Sequence, residues 1–392
     1  MPKQSIKKNV SEKSKLPFSI SDFKNNLGFN KVEIADKQME FIIMPSAFEK
    51  AINLPGFPMG YCSVIRGWSN TGKSTLKYCL IAACQRQGIL PIIYETENNF
   101  NFEHAIECGM QAVPEYQEEE YVDEETGEVI KEKKVVNYSG DFIYFDSSIL
   151  AQVYGSWDYS TGKQTSKVRT QAVIEDIAKS MNEMLDKQEN GELPMPICFI
   201  WDSVGSIPSF KSVTSTMNNM YDAGAIQQHF SNLLGNRIPN SRKVNYPYTN
   251  TFVCVNKIWN DSMNATNNLP SIKLKGGECI FYNSRLILHM GGKKTASIKK
   301  LSVTSKGETM DYGVITKISV EKNHLPSPYN LTTNVSTLAC VHNGLWDPDD
   351  MDSYKKQYIK TLIERLKLKA NNEIDFSEND NFEYSECEVE SE

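Results

Sequence analysis

Nine consecutive residues, Gly67, Trp68, Ser69, Asn70, Thr71, Gly72, Lys73, Ser74 and Thr75, carry the densest chemistry in this chain. Gly67, Gly72, Lys73 and Ser74 match the spacing G-x-x-x-x-G-K-[ST]. A loop that turns successive backbone N–H groups inward makes a cradle for phosphate, and glycines permit that path. The Lys73 ammonium can neutralise β- and γ-phosphate oxygens, and the Ser74 hydroxyl can ligate Mg2+. The positive end of a following helix adds to the attraction. The stretch predicts a bound nucleoside triphosphate with magnesium. Trp68 is the one member whose bulk the cradle does not require.

Other residues with suitable chemistry end apolar runs. Asp202 follows Ile197–Trp201 and is the expected second magnesium ligand, opposite the Ser74 hydroxyl. Its plainer reading is a cap on the next turn. Tyr94-Glu95-Thr96-Glu97 ends another run, and hydrolysis needs a group to orient the attacking water. Glu97 is the first candidate and Glu95 the second; the plainer reading is a pair of solvated loop acids. Asn256-Lys257 ends a third run, where a polar group could sense the γ-phosphate and relay its presence onward.

Two loops leave the same edge. One runs from Ile258 to Lys275, rich in Asn, with Lys273 and Lys275 before Gly276 and Gly277. The other runs from Ser209 to Asp222 and holds Lys211, Met217, Asn218, Asn219 and Met220. Long loops in compact domains are functional or disordered. Flexible, modestly basic loops suit contacts to a phosphodiester backbone more than base reading.

The positioning elements follow from patterning. Tyr61–Ile65, Ile89–Tyr94, Phe142–Phe145, Ile197–Trp201 and Thr251–Val255 are short, apolar and strand-like. Leu76–Cys84 and Thr170–Lys187 read as helices between them, and Ser46–Ile52 as one before them. Strands apolar throughout and alternating with helices predict an α/β fold with a mostly parallel central sheet covered by helices. Leu286–His289 and Val314–Val320 read as later, antiparallel strands, and 352–370 as an amphipathic helix. The expected organisation is a basic, subunit-docking segment 1–45 and a nucleotide-binding core 46–330. The core carries an inserted charged hairpin, 115–135, turning at Thr126-Gly127. A short helical region 331–372 and an acidic, disordered tail 373–392 follow.

Composition narrows the partners. The 392 residues are 40% hydrophobic, and no apolar window is long enough to span a membrane. The polar, basic start lacks a signal-peptide core, so the expected location is cytoplasmic, with no membrane partner. Nine scattered cysteines and five histidines predict reduced, buried thiols rather than a zinc site. Net charge is −7, but nine carboxylates lie in 373–392, leaving 42 basic against 40 acidic residues in 1–372. A tail of that kind is a solvated run or a competitor for a basic surface.

The order of these segments resembles a known family. GFPMG, a strand, GWSNTGKST, YETEN, FIWDSVGS, FVCVNK and Ser319-Val320-Glu321-Lys322-Asn323 follow as in the RecA-type strand-exchange recombinases, most closely their phage UvsX-like branch. The resemblance covers residues 45–330 and implies a RecA-like P-loop NTPase core. It implies that Glu97 activates water, that Ser203 follows the metal aspartate, and that Lys257 is the nucleotide-to-DNA switch. It further implies that 215–222 and 258–275 are the DNA-binding loops and that His104 packs on adenine. Lys322 would cross a subunit interface to a neighbour's γ-phosphate, with His324 at the second such basic position. Trp68, Ser69, the inserted hairpin and the short region after 330 depart from the family pattern.

The expected function is therefore a DNA-dependent ATPase using ATP and Mg2+. It would form a homo-oligomeric helical filament on single-stranded DNA and promote pairing and strand exchange with homologous duplex DNA, with loader and single-strand-binding proteins as further partners. A ring-forming motor or helicase of the same fold, or a nucleotide-regulated assembly protein, is the alternative.

Overall fold

Alternate residues of the buried strands face opposite sides of one sheet. A computed structural model of the chain describes residues 19–28, 35–122, 129–214, 220–261, 271–274, 278–292, 295–305, 307–331 and 334–369. In chain order, α1 (Ile20–Asn26) precedes β1 (Phe41–Ile43), α2 (Ser46–Ile52) and β2 (Gly56–Pro58). Then come β3 (Cys62–Gly67), α3 (Lys73–Arg86), β4 (Leu90–Glu95), α4 (Phe102–Glu107) and the hairpin β5 (Val113–Val122) and β6 (Val129–Ser139). β7 (Ile143–Asp146), α5 (Ser147–Tyr154), β8 (Trp157–Asp158), β9 (Lys163–Gln164) and α6 (Ile174–Glu189) follow. β10 (Ile197–Asp202) leads to α7 (Phe210–Thr214), α8 (Met220–Asn232) and α9 (Ile238–Asn240). β11 (Thr251–Asp261), β12 (Ser271–Leu274), α10 (Glu278–Asn283) and β13 (Ser284–Met290) come next. β14 (Ile298–Ser305), β15 (Glu308–Asn323), β16 (Ser336–Val341), β17 (Gly344–Trp346) and α11 (Met351–Lys369) complete the described chain.

The main sheet has eleven strands, in the order β17-β16-β15-β13-β3-β11-β10-β4-β7, with β12 beside β11 and β14 beside β15. From β13 to β7 all neighbours are parallel. The remaining pairings are antiparallel. Ile65, Ile93, Ile200 and Val255 pack on one face with Phe48, Leu76 and Leu80. Val64, Ile92, Phe199, Trp201 and Cys254 pack on the other with Ile177, Met181, Ile226 and Phe230. Burial on both faces explains why these strands are apolar throughout. Local signals end the helices: Asp146 accepts the Ile149 N–H at 2.8 Å at the start of α5, and Asn53 closes α2 in the left-handed region.

Three expectations are corrected. Strand β13 pairs antiparallel with β15, as expected, but on its other side it runs parallel to β3, because the chain passes through α10 and re-enters beside that strand. Segment 331–372 opens with two strands, β16 and β17, that extend the main sheet before α11 packs on β14 and β15. The stretch 258–275 is not all loop: Ile258–Asp261 pairs with Ser271–Leu274 as a β-ladder. Residues 35–45 also contact their own chain, with Val244 N–H donating to Ala35 O at 3.1 Å and Lys37 N–H to Arg242 O at 2.8 Å.

The 115–135 hairpin is present as β5–β6; its turn, Thr126-Gly127, lies outside the described residues. The eight described cysteines are free and buried. Tail 373–392 lies outside the described residues. Among the described residues no helix is long and apolar enough to cross a membrane.

Candidate functional site

Strand register brings the candidate residues to one edge. Asp202 pairs with Glu95 across β10 and β4, and Lys257 pairs with Gly67 across β11 and β3. Parallel strands that end together present their terminal side chains to one crevice, where ligands of α/β folds bind.

The cradle follows β3. A Cβ on Gly67 would stand 2.1 Å from the Met290 carbonyl oxygen, so close approach of β13 demands glycine here. Gly72 has φ +83° and caps α3, and a Cβ there would meet Cys340 Sγ at 2.5 Å. Ser69, Asn70 and Ser74 are exposed on the loop, and Thr75 is buried behind them. Thr71 Oγ1 donates to the Trp68 carbonyl at 2.8 Å, and Lys73 Nζ donates to the same oxygen. Burial pushes Lys73 down to about 8; Asp202 and Glu97 oppose the shift, and Lys257 adds to it. A buried ammonium held by one carbonyl is prepared for an anion. Trp68 does not fill the cradle. Its Nε1 donates to Gly292 O at 2.9 Å, so the ring braces the turn after β13.

Behind the loop stands a residue that sequence reading passed over. Lys77, one turn beyond Lys73 on α3, is fully buried, 2.7 Å from Glu95 Oε2 and 2.5 Å from Asp202 Oδ2. Burial alone would depress its pKa; the two carboxylates outweigh that and leave it above its ordinary value. A lysine inside an apolar helix, four residues from Lys73, was the available signal. Glu95 is thereby corrected as a water-orienting candidate: it is enclosed and bound to Lys77.

Glu97 remains at the rim. Its Oε1 accepts from Ser203 Oγ, and its Oε2 accepts from Lys257 Nζ at 2.5 Å and Asn99 Nδ2 at 3.1 Å. Burial opposes ionisation, but the hydrogen bonds from Lys257 and Ser203 outweigh it and hold Glu97 below the usual carboxylate range. The structure thus gathers Lys73, Asp202, Glu97, Ser203 and Lys257 at one place.

Magnesium suits the donors. Ser74 and Asp202 offer hard oxygen ligands. Asp202 Oδ1 has no hydrogen-bond partner among the described residues, while Oδ2 is taken by Lys77.

Beside the loop lies a cavity of about 720 Å³, lined by Gly72, Thr75, Asn101, His104, Tyr312 and Arg365 among others. His104 stands 5.1 Å from the Tyr78 ring, and burial lowers its pKa. Arg365 of α11 closes the rim by pairing with Glu107 of α4. Tyr312 and Arg365 come from distant segments, and no local pattern marked them.

The remaining candidates fall elsewhere. Lys211 Nζ lies 4.0 Å from the Tyr221 ring centroid. Asp222 ties the loop base by accepting from Ser209 N–H at 2.8 Å and Ser212 Oγ at 2.7 Å. Met220 begins α8, and Met217, Asn218 and Asn219 lie outside the described residues. Lys273 pairs with Trp259 in the β11–β12 ladder; Lys275, Gly276 and Gly277 lie outside the described residues. Lys322 is apart from the cradle. It pairs with Ile287, three residues before the Met290 that stands beside Gly67, and its Nζ donates to Phe281 O at 2.7 Å. His324 donates its backbone N–H to Arg285 O at 2.8 Å.

No protein-family model matches the chain, and no curated protein matches it.

Proposed function

We propose that the chain is a DNA-dependent ATP hydrolase of the RecA type that polymerises on single-stranded DNA and promotes homologous pairing and strand exchange. One observation carries the reading. Lys257 stands beside Gly67 and reaches Glu97, and its strand continues into the β11–β12 hairpin. Strand β11 runs from beside the cradle into this ladder, and residues 262–270 between its strands belong to the expected DNA-binding loop.

The residues divide the work. Lys73 exchanges the Trp68 carbonyl for phosphate oxygens. Ser74 and Asp202 would hold the magnesium, which when bound shares the charge of the phosphates. Glu97, fixed by Ser203, orients a water and accepts its proton. Lys257 pairs with Glu97. A γ-phosphate offers Lys257 a more highly charged partner, which frees Glu97 and draws on β11. Lys257 is 47% exposed, so its pair with Glu97 is worth about 1 kcal/mol or less and is readily exchanged. That exchange shifts the population of hairpin states. Lys322, away from its own cradle, would serve the cradle of another copy, as the resemblance implies.

The test is ATP turnover with and without single-stranded DNA. Strong stimulation, absent in Lys73→Ala, is expected. A rate indifferent to DNA would sink the recombinase reading. Closed rings instead of filaments in electron micrographs with DNA and an ATP analogue would favour the motor alternative.

A further inference from the structure

Glu95 and Asp202 are cross-strand neighbours, both buried, at the inner end of the crevice. Two adjacent carboxylates in a dry place repel one another and attract any available cation. Here the cation belongs to the chain. Lys77 Nζ lies 2.7 Å from Glu95 Oε2 and 2.5 Å from Asp202 Oδ2, with its side chain fully enclosed. The rings of Tyr78 and Phe100 lie 5.1 Å from the same nitrogen and favour a charged group there. Lys73 and Lys77 are four residues apart on α3 and so share a helix face. One serves the cradle, the other the strand ends beneath it.

We propose that Lys77 is a positioning residue for the metal ligand Asp202. It occupies one carboxylate oxygen, turns the other toward the cradle, and keeps the Glu95–Asp202 pair from taking a divalent ion alone. Metal then enters only together with nucleotide. The inference rests on the nucleotide-site reading above, and assigns a role to a residue outside the phosphate-loop pattern. An ordinary structural ion pair would stabilise the fold without controlling when metal binds.

The experiment is Mn2+ titration of the full chain without nucleotide, followed by electron paramagnetic resonance. Wild type and Lys77→Arg are expected to bind Mn2+ only weakly. Lys77→Met is expected to gain one site about tenfold tighter or more, lost again when Asp202→Asn is added. A folded Lys77→Met that binds Mn2+ like wild type overturns the proposal, as does a tight Asp202-dependent site in wild type. Removing one partner of a buried pair can unfold a protein. The double variant Lys77→Gln/Glu95→Gln keeps shape and local net charge. It is expected to lower the Mg2+ concentration that half-saturates binding of a fluorescent ATP analogue several-fold. An unchanged or raised concentration rejects the role. Failure of wild type to bind the analogue would instead reject the nucleotide site itself, so the two failures are distinguishable.

Discussion

Lys257 Nζ lies 2.5 Å from Glu97 Oε2, joining the residue that would sense the γ-phosphate to the residue that would orient the attacking water. The contact joins residues separated by 160 positions of sequence. Lys257→Met is expected to leave ATP binding nearly intact while uncoupling turnover from DNA. Glu97→Gln is expected to lower turnover by about 100-fold or more with binding retained. Paired measurements of analogue affinity and turnover, with and without DNA, check both. Equal DNA stimulation in Lys257→Met and wild type would remove the relay.

Lys73 should make nucleotide affinity depend on pH. Burial pushes its ammonium down to about 8. A bound polyphosphate favours the charged form, so affinity is expected to fall as pH rises through 8. The sign for folding is opposite. Between about 8 and the ordinary lysine value the unfolded chain binds more protons, so stability from this group rises with pH. Calorimetric affinities from pH 7 to 9.5 should show the decline in wild type, and Lys73→Met should flatten it.

Gly67 and Trp68 should part company despite being neighbours. Gly67→Ala would drive a Cβ to 2.1 Å from a backbone oxygen of β13, so a loss of about 1–3 kcal/mol is expected in denaturant unfolding. Trp68→Phe removes only the hydrogen bond to Gly292 O, with an expected cost of about 1 kcal/mol. Since the ring lies outside the cradle, analogue affinity should stay close to wild type.

Deleting 373–392 removes nine carboxylates and no basic residue. If the tail competes with DNA for the body, the shortened chain binds single-stranded DNA more tightly, most clearly at low salt, where screening is weakest. Equal affinities at 50 and 300 mM salt would reject competition.

Much of the site was legible because its chemistry is local. A phosphate cradle needs glycines, a lysine and a hydroxyl within nine residues, and Gly67–Thr75 supplies them. Asp202, Glu97 and Lys257 could be named because each follows or closes an apolar run, and such runs in a parallel sheet share an edge. Glu97 ranks ahead of Glu95 on sequence, but spacing does not say which of them is enclosed. They differ by the direction of a side chain, and only packing against α3 encloses one and leaves the other at the rim.

The sequence by itself determined the strand–loop–helix cradle, the α/β alternation and the set of residues at the carboxyl edge, because short-range spacing and apolar periodicity dictate them. Tertiary structure decided the partners. It placed Lys77 between Glu95 and Asp202, turned Trp68 out of the cradle and set Lys257 on Glu97. It also brought Arg365 from the last helix to the cavity rim. Each outcome depends on strand order and register, which join residues far apart in sequence. No local pattern encodes which strand becomes the neighbour of which.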